Sequence, residues 1–331
     1  MNADKLVVTA SPHVRSADST PRIMWHVVAS LVPVILAAAW FFGVSALLQV
    51  ATAVLVSLLT ERATGKGGAI ADGSATITGI LLGLSLPAGF PLWMTALGAA
   101  FAIVFGKQIW GGLGQNAFNP ALVGRAFLQG AFPVAITTWP AVGGGFFTLR
   151  GDLFALPFIR PQPYAETSAT PLGLLKFEGE GTPIGNLLIG NTGGSLGETA
   201  ALVILAGGVY LAWRGYLNWR IPVSVFATVA AVSAVVRLFD ASAPDPWFMV
   251  FSGGLMLGAV YMATDIVTAP ITNAGRWIFG AGIGILVVVI RLWGGLAEGV
   301  MYAILFMNAL TPFINKATQP RVFGTRLRTA T

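Results

Sequence analysis

The run IMWHVVASLVPVILAAAWFF, Ile23 to Phe42, decides what kind of protein this is. It contains no Asp, Glu, Lys or Arg, and it is as long as the stretch of about 20 apolar residues that an α-helix needs to cross a bilayer. The rest of the chain repeats the theme. Hydrophobic residues make up 55% of the 331 positions and charged residues 10%, against roughly 25% charged in soluble domains. The chain therefore reads as an all-α integral membrane protein. Residues 1–22 carry Asp4, Lys5, Arg15, Asp18 and Arg22 without an apolar run, so no cleavable signal of the usual form is expected and the first span serves as its own insertion signal. With no Cys the chain can make no disulfide and offers no thiolate to an iron–sulfur cluster. Two His, His13 and His26, argue against haem. An electron carrier here would have to be organic.

Working outward, ten apolar runs can be marked: Ile23 to Phe42, Ser45 to Leu59, Ser74 to Leu86, Trp93 to Phe105, Pro120 to Trp139, Thr199 to Trp213, Pro222 to Leu238, Trp247 to Ala263, Trp277 to Leu292 and Gly295 to Phe313. Ser74 to Leu86 and the run ending at Ala263 are short and bounded by Pro or Gly, which predicts broken or re-entrant helices. Irregular backbone survives at membrane depth only where protein or a water-filled cavity surrounds it.

Charge supplies the orientation. The net charge of +6 is read as a topology code, with no nucleic-acid partner expected. With the N-terminus cytoplasmic, one side holds Lys5, Arg15, Arg22, Arg62, Lys66, Lys107, Arg214, Arg220, Arg276, Lys316, Arg321, Arg326 and Arg328; the other holds Arg150, Arg160, Lys176, Arg237 and Arg291, with Arg125 inside the fifth run. Both ends are then cytoplasmic. The parts become an N-terminal arm (1–22), a first membrane half (23–139), a long extracytoplasmic loop (140–198), a second membrane half (199–313) and a basic cytoplasmic tail (314–331). The halves also resemble each other. Trp110-Gly111-Gly112-Leu113 recurs as Trp293-Gly294-Gly295-Leu296, and Pro87, Trp93 and Lys107 have counterparts at Pro270, Trp277 and Arg291, all displaced by about 183 positions. Five spans per half would invert the second copy and place a functional centre between broken helices.

Four stretches stand out chemically. In PQPYAETSATPL, Pro161 to Leu172, Thr170 closes the small run Thr167-Ser168-Ala169, and Pro171 keeps it extended, which presents its hydroxyl to a bulky modifying enzyme. GGLGQNAFNP, Gly111 to Pro120, places Gly111, Gly112, Gln115, Asn116 and Asn119 after Lys107; these groups suit a flavin ring edge or an ion, and small residues also suit plain helix packing. In YMATDIVTAPIT, Asp265 lies among Thr264, Thr268 and Thr272 and could be an ion ligand, a partner to Lys107 or Arg125, or a helix terminus at the interface. GSLGET, Gly194 to Thr199, reads as a cap for the sixth run, with Glu198 in its first turn.

Taken in order, WGGLGQNAFNPALVGRAF (Trp110 to Phe127), TSATPL (Thr167 to Leu172), GSLGET, YMATDIVTAPITNAGR (Tyr261 to Arg276) and EGVMYAILFMNALTP (Glu298 to Pro312) resemble blocks of the RnfD/NqrB family, and the short arm before Ile23 is more similar to RnfD. The resemblance implies a subunit of the Rnf complex, an ion-translocating oxidoreductase passing electrons between ferredoxin and NAD, in the bacterial inner membrane. It implies FMN attached through phosphate to Thr170 by a flavin transferase, and it leaves room for a second, noncovalent flavin such as riboflavin. Its partners would be the other membrane subunits, a second covalently flavinylated subunit, and Na⁺ or H⁺. The family pattern commonly has Gly where Ser168 stands and Asp where Tyr164 stands; Glu166 could supply the missing carboxylate.

Moving one charge against 100 mV costs about 2.3 kcal/mol, so a two-electron drop of roughly 50 mV between flavin couples would suffice. On this reading the flavin on Thr170 relays electrons near the outer face while the core, with Thr264, Asp265 and Thr268, contributes to ion passage. The rival reading is a secondary transporter or channel component with no redox cofactor; it accounts for the spans but gives no reason for the Thr167 to Leu172 block.

Overall fold

The computed structural model describes residues 18–64, 69–157, 168–198 and 200–320. Among these the regular structure is helical, and the one bridge outside helices pairs Pro87 with Ser195. The principal helices are α1 (Thr20–Phe42), α2 (Val44–Thr64), α3 (Ser74–Leu84), α4 (Leu92–Ile103, prolonged by a π-turn at Val104–Gln108), α5 (Pro120–Ala131), α6 (Ala201–Trp213), α7 (Arg220–Phe239), α8 (Asn273–Trp293) and α9 (Val300–Thr318). Four of them, α1, α2, α7 and α8, are long and apolar enough to cross a membrane; α3, α6 and α4 with its extension are shorter and apolar.

The expected break near Ala263 is present. Pro246–Phe251 is helical, the chain opens at Ser252 to Gly254, and it resumes as Leu255–Leu257 and a π-turn, Gly258–Met262. Gly253 sits at φ +67°, where a side chain would also meet Leu172 and Arg291. The run Pro120 to Trp139 is likewise interrupted: Pro133 ends continuity with α5 and starts a short helix, Pro133–Ile136.

Small residues bring the helices together, as expected where lipid rather than water surrounds them. Gly79 and Gly83, one turn apart on α3, leave no room for a Cβ against Val54 and Val50 of α2 (2.5 and 2.9 Å to their Cα atoms). Gly280 and Gly284 of α8 do the same against Ser224 and Thr228 of α7. Outward-facing Leu36, Trp40, Val209, Trp213 and Phe239 are exposed, the surface a lipid or neighbouring protein would cover.

The helix ends define two faces. Trp25, near the start of α1, donates to Ala71 O beside the start of α3. Thr272, just before α8, bonds Thr318 at the end of α9. At the opposite face, Val44 N donates to Phe146 O in the long loop, and Lys176 Nζ donates to the carbonyls of Arg291, Gly294 and Leu296, fastening the loop to the end of α8. The described ends of the chain therefore share one face and the long loop lies on the other.

Two charges expected in loops are instead buried. Lys107 is 2% exposed in the π-turn and Arg291 is 4% exposed in the last turn of α8. Both have interior partners, which removes them from the topology count.

Candidate functional site

Each face opens into a cleft. The proximal cleft, on the face where α1 begins, has about 770 Å³ of free space and is lined by Ser74, Lys107, Asn116, Asn119, Tyr216, Tyr261, Thr264 and Asp265, among others. The distal cleft, below the long loop, has about 650 Å³ and is lined by Arg125, Gln129, Trp139, Thr170, Leu172, Glu198, Gly253 and Glu298, among others. Both volumes fall in the range of roughly 300–1,000 Å³ typical of small-molecule sites.

In the proximal cleft the geometry follows from helix ends. Asn119 caps α5, its Oδ1 accepting from Ala121 N and Leu122 N, while its Nδ2 donates to Met262 O at 3.1 Å. Because a helix leaves its first N–H groups unpaired, an Asn here is the expected cap. Asn116 is buried and its Oδ1 has no partner, an acceptor open to a ligand or water. Lys107 Nζ is held by Glu61 and by Ser74 Oγ, with the Lys107 and Glu61 side chains 3% and 1% exposed. Asp265 pairs with neither Lys107 nor Arg125: its carboxylate accepts from Val267 N at 3.3 Å and Thr268 Oγ1 at 3.2 Å. Burial raises its proton affinity above the ordinary carboxylate value, and those two bonds oppose the shift. Thr264 Oγ1 donates to Val260 O. Gly111 and Gly112 lie on an exposed turn at φ +113° and +94°, outside the residues lining the cleft.

In the distal cleft Thr170 has φ −71° and ψ 155°, the extended conformation that Pro171 imposes, and caps the helical turn Pro171–Gly173 by accepting from Gly173 N at 3.1 Å. Its hydroxyl proton remains unengaged in that bond. Ser168 is anchored by N–H to Trp139 O and by Oγ to Pro140 O, and Gly193 gives way to it, since a Cβ at Gly193 would overlap Ser168 Oγ. Ala169 is exposed, and Pro171 and Leu172 are buried beneath the turn. Thr167, Glu166 and Tyr164 lie outside the described residues.

Opposite Thr170, Arg125 Nη2 pairs with Glu298 Oε2 at 3.0 Å. Arg125 is 9% exposed and its Nε has no partner. Arg291 Nη2 donates to Ser252 O at 2.9 Å, inside the break of the Pro246–Met262 segment. Ser195 Oγ donates to Glu198 Oε1 at 2.9 Å. GSLGET is thus no helix cap: Leu196 N and Gly197 N donate to Leu86 O and Leu84 O, so the segment turns inward against the end of α3, and α6 starts after Ala200 in a left-handed conformation. Sequence reasoning misses Glu61, which reads as a loop charge, and the convergence of Glu198 and Glu298. Residues 100 positions apart carry no local signal of meeting.

The profile of the NQR2, RnfD, RnfE family matches residues 7–324. The chain is 41% identical to an RnfD-type component of the proton-translocating ferredoxin:NAD(+) oxidoreductase complex of Clostridium ljungdahlii, over 96% of each chain. It is 39% identical to the corresponding component of the Na(+)-translocating ferredoxin:NAD(+) oxidoreductase complex of Acetobacterium woodii, over 98% of this chain and 97% of that one. It is 38% identical to its counterpart in the ion-translocating oxidoreductase complex of Pseudomonas aeruginosa, over 96% and 95%. With helices, clefts and full-length similarity agreeing, the chain belongs to the NQR2, RnfD, RnfE family.

Proposed function

We propose that this protein is the RnfD component of an Rnf-type ion-translocating ferredoxin:NAD oxidoreductase, and that it carries FMN in phosphoester linkage to Thr170. The relatives' names supply the complex and its partners, the other subunits. The observation that carries the flavin site is Thr170 itself: a hydroxyl held extended by Pro171, flanked by small Ser168 and Ala169, at a cleft that also holds the partly unpartnered guanidinium of Arg125. A phosphorylated ribityl chain needs an accessible oxygen nucleophile and room beside it, and the cleft provides both. When bound, the flavin supplies one- and two-electron redox chemistry. The chain's own part is to hold it: Thr170 as the anchor, Trp139 and Leu172 as apolar walls, Arg125 as the cation nearest the ring system.

The proximal cleft is the proposed place for a second, noncovalent flavin and for the ion. Asn116 Oδ1 and the Lys107 region face it, Asn119 fixes its wall, and Asp265 with Thr264 and Thr268 offers oxygen ligands. Two relatives of nearly equal identity are named for different ions, so few residues decide between Na⁺ and H⁺. The membrane arrangement that fits is ten spans in two inverted five-helix halves in the bacterial cytoplasmic membrane, both ends inside and residues 140–198 outside as the flavin-bearing loop. Support comes from a helix at each apolar run and from the second helix of each half packing on the fourth. A transporter without a cofactor would leave the Thr170 arrangement without a purpose. Thr170→Val should abolish in-gel flavin fluorescence of this chain when a flavin transferase is co-produced; undiminished fluorescence would refute the attachment.

A further inference from the structure

The distal cleft contains two carboxylates in unequal circumstances. Glu298 is fully engaged, with Oε2 on Arg125 and Oε1 accepting from Gly254 N. Glu198 has bonds only from Ser195, and among the described residues it takes part in no ion pair. The charged groups facing it are Arg125 from α5, Arg291 from the last turn of α8 and Glu298 from the turn before α9. With Glu198 ionised these four side chains sum to zero; with it neutral they sum to +1. A half-buried carboxylate that opens on a cleft with room for water, and has one hydroxyl rather than a cation as its fixed neighbour, is built to change charge rather than to hold it.

We infer that Glu198 is a proton-exchanging group of the distal cleft, taking up and releasing a proton to cleft water while the Arg125–Glu298 pair stays ionised beside it. The ionisation is a simple loss: the Glu198 O–H bond breaks, the proton goes to cleft water, and Ser195 Oγ–H bonds the resulting carboxylate. Burial first, and the charge of Glu298 second, push Glu198 up to about 8, against the opposing pull of Arg125 and Ser195. The exchange would thus occur near neutral pH, beside the residue proposed to carry the flavin. The inference deepens that reading of the cleft but does not need the flavin to be present.

The test is infrared difference spectroscopy of the full-length Thr170→Val chain in detergent, which is flavin-free on the proposed reading, between about pH 6 and about pH 9. The expected result is a protonated-carboxyl band that disappears at the higher pH, is missing in Glu198→Gln and is shifted in frequency in Glu198→Asp. Glu298→Gln should move its titration to lower pH, because one of the two raising causes is gone. A titrating band that survives unchanged in Glu198→Gln, or no such band at all, overturns the assignment. Where the Gln variant does not accumulate, an unshifted band in Glu198→Asp overturns it equally. Failure of flavin attachment at Thr170 would leave these outcomes untouched.

Discussion

Removing Glu61 strands a buried ammonium. Lys107 and Glu61 pair with side chains 3% and 1% exposed, and the remaining partner of Lys107 is Ser74 Oγ. Breaking such a pair from one side costs about 3–5 kcal/mol, whereas replacing both members by apolar residues of similar volume is often neutral or better. Glu61→Gln and Lys107→Met should each destabilise by that amount, the Gln variant at the lower end because it keeps an acceptor. Glu61→Leu combined with Lys107→Met should lie near the unmodified protein. At roughly 2 °C per kcal/mol for a chain of this size, the single variants should melt about 6–10 °C lower in detergent and the double variant should recover most of the loss. The assay is a double-mutant cycle on apparent melting temperature, with unfolding half-lives as a check on irreversibility. Single variants indistinguishable from the parent, or a double variant that loses the sum of both, would refute the pair and with it the reading of Lys107 as an interior residue.

Gly193→Ala places a Cβ on Ser168 Oγ, so it should displace the segment bearing Thr170 and lower covalent flavin per mole of protein several-fold, measured by fluorescence against protein stain, with little change in melting temperature. Because Glu198 binds its proton more tightly in the folded chain (about 8) than at its ordinary value of 4.5, folded protein holds the extra proton between those pH values and loses stability as pH rises through them; melting curves of Glu198→Gln should lack this decline. The chain has no Cys, so single cysteines report topology cleanly: Phe147→Cys should react with an impermeant maleimide added outside cells and Lys316→Cys only after lysis, and the reverse pattern would invert the orientation.

Much of the architecture is legible in local sequence. Ile23 to Phe42 announces α1 by apolarity alone, and Pro and Gly foretell the interrupted Pro246–Met262 segment. Pro171 foretells the extended Thr170. These features depend on a residue and its immediate neighbours. What stays hidden depends on distant pairings: Lys107 with Glu61, Arg125 with Glu298, and the inward turn of Leu196 and Gly197 onto the end of α3. A Glu after an apolar run looks like a loop charge until its partner is known, and Glu198 looks like an ordinary first-turn carboxylate. Asp265 has several possible partners in the sequence; the structure gives it Val267 N and Thr268 Oγ1, a local turn that the Asp-x-x-Thr spacing is compatible with.

The most direct test of the central claim is the mass of the peptide spanning Thr170, from protein made in cells with an active flavin transferase. The account predicts an increment equal to FMN less one water, with fragment ions placing it on Thr170. An unmodified peptide recovered in full, or the same increment on Thr167 or Ser168, would contradict it.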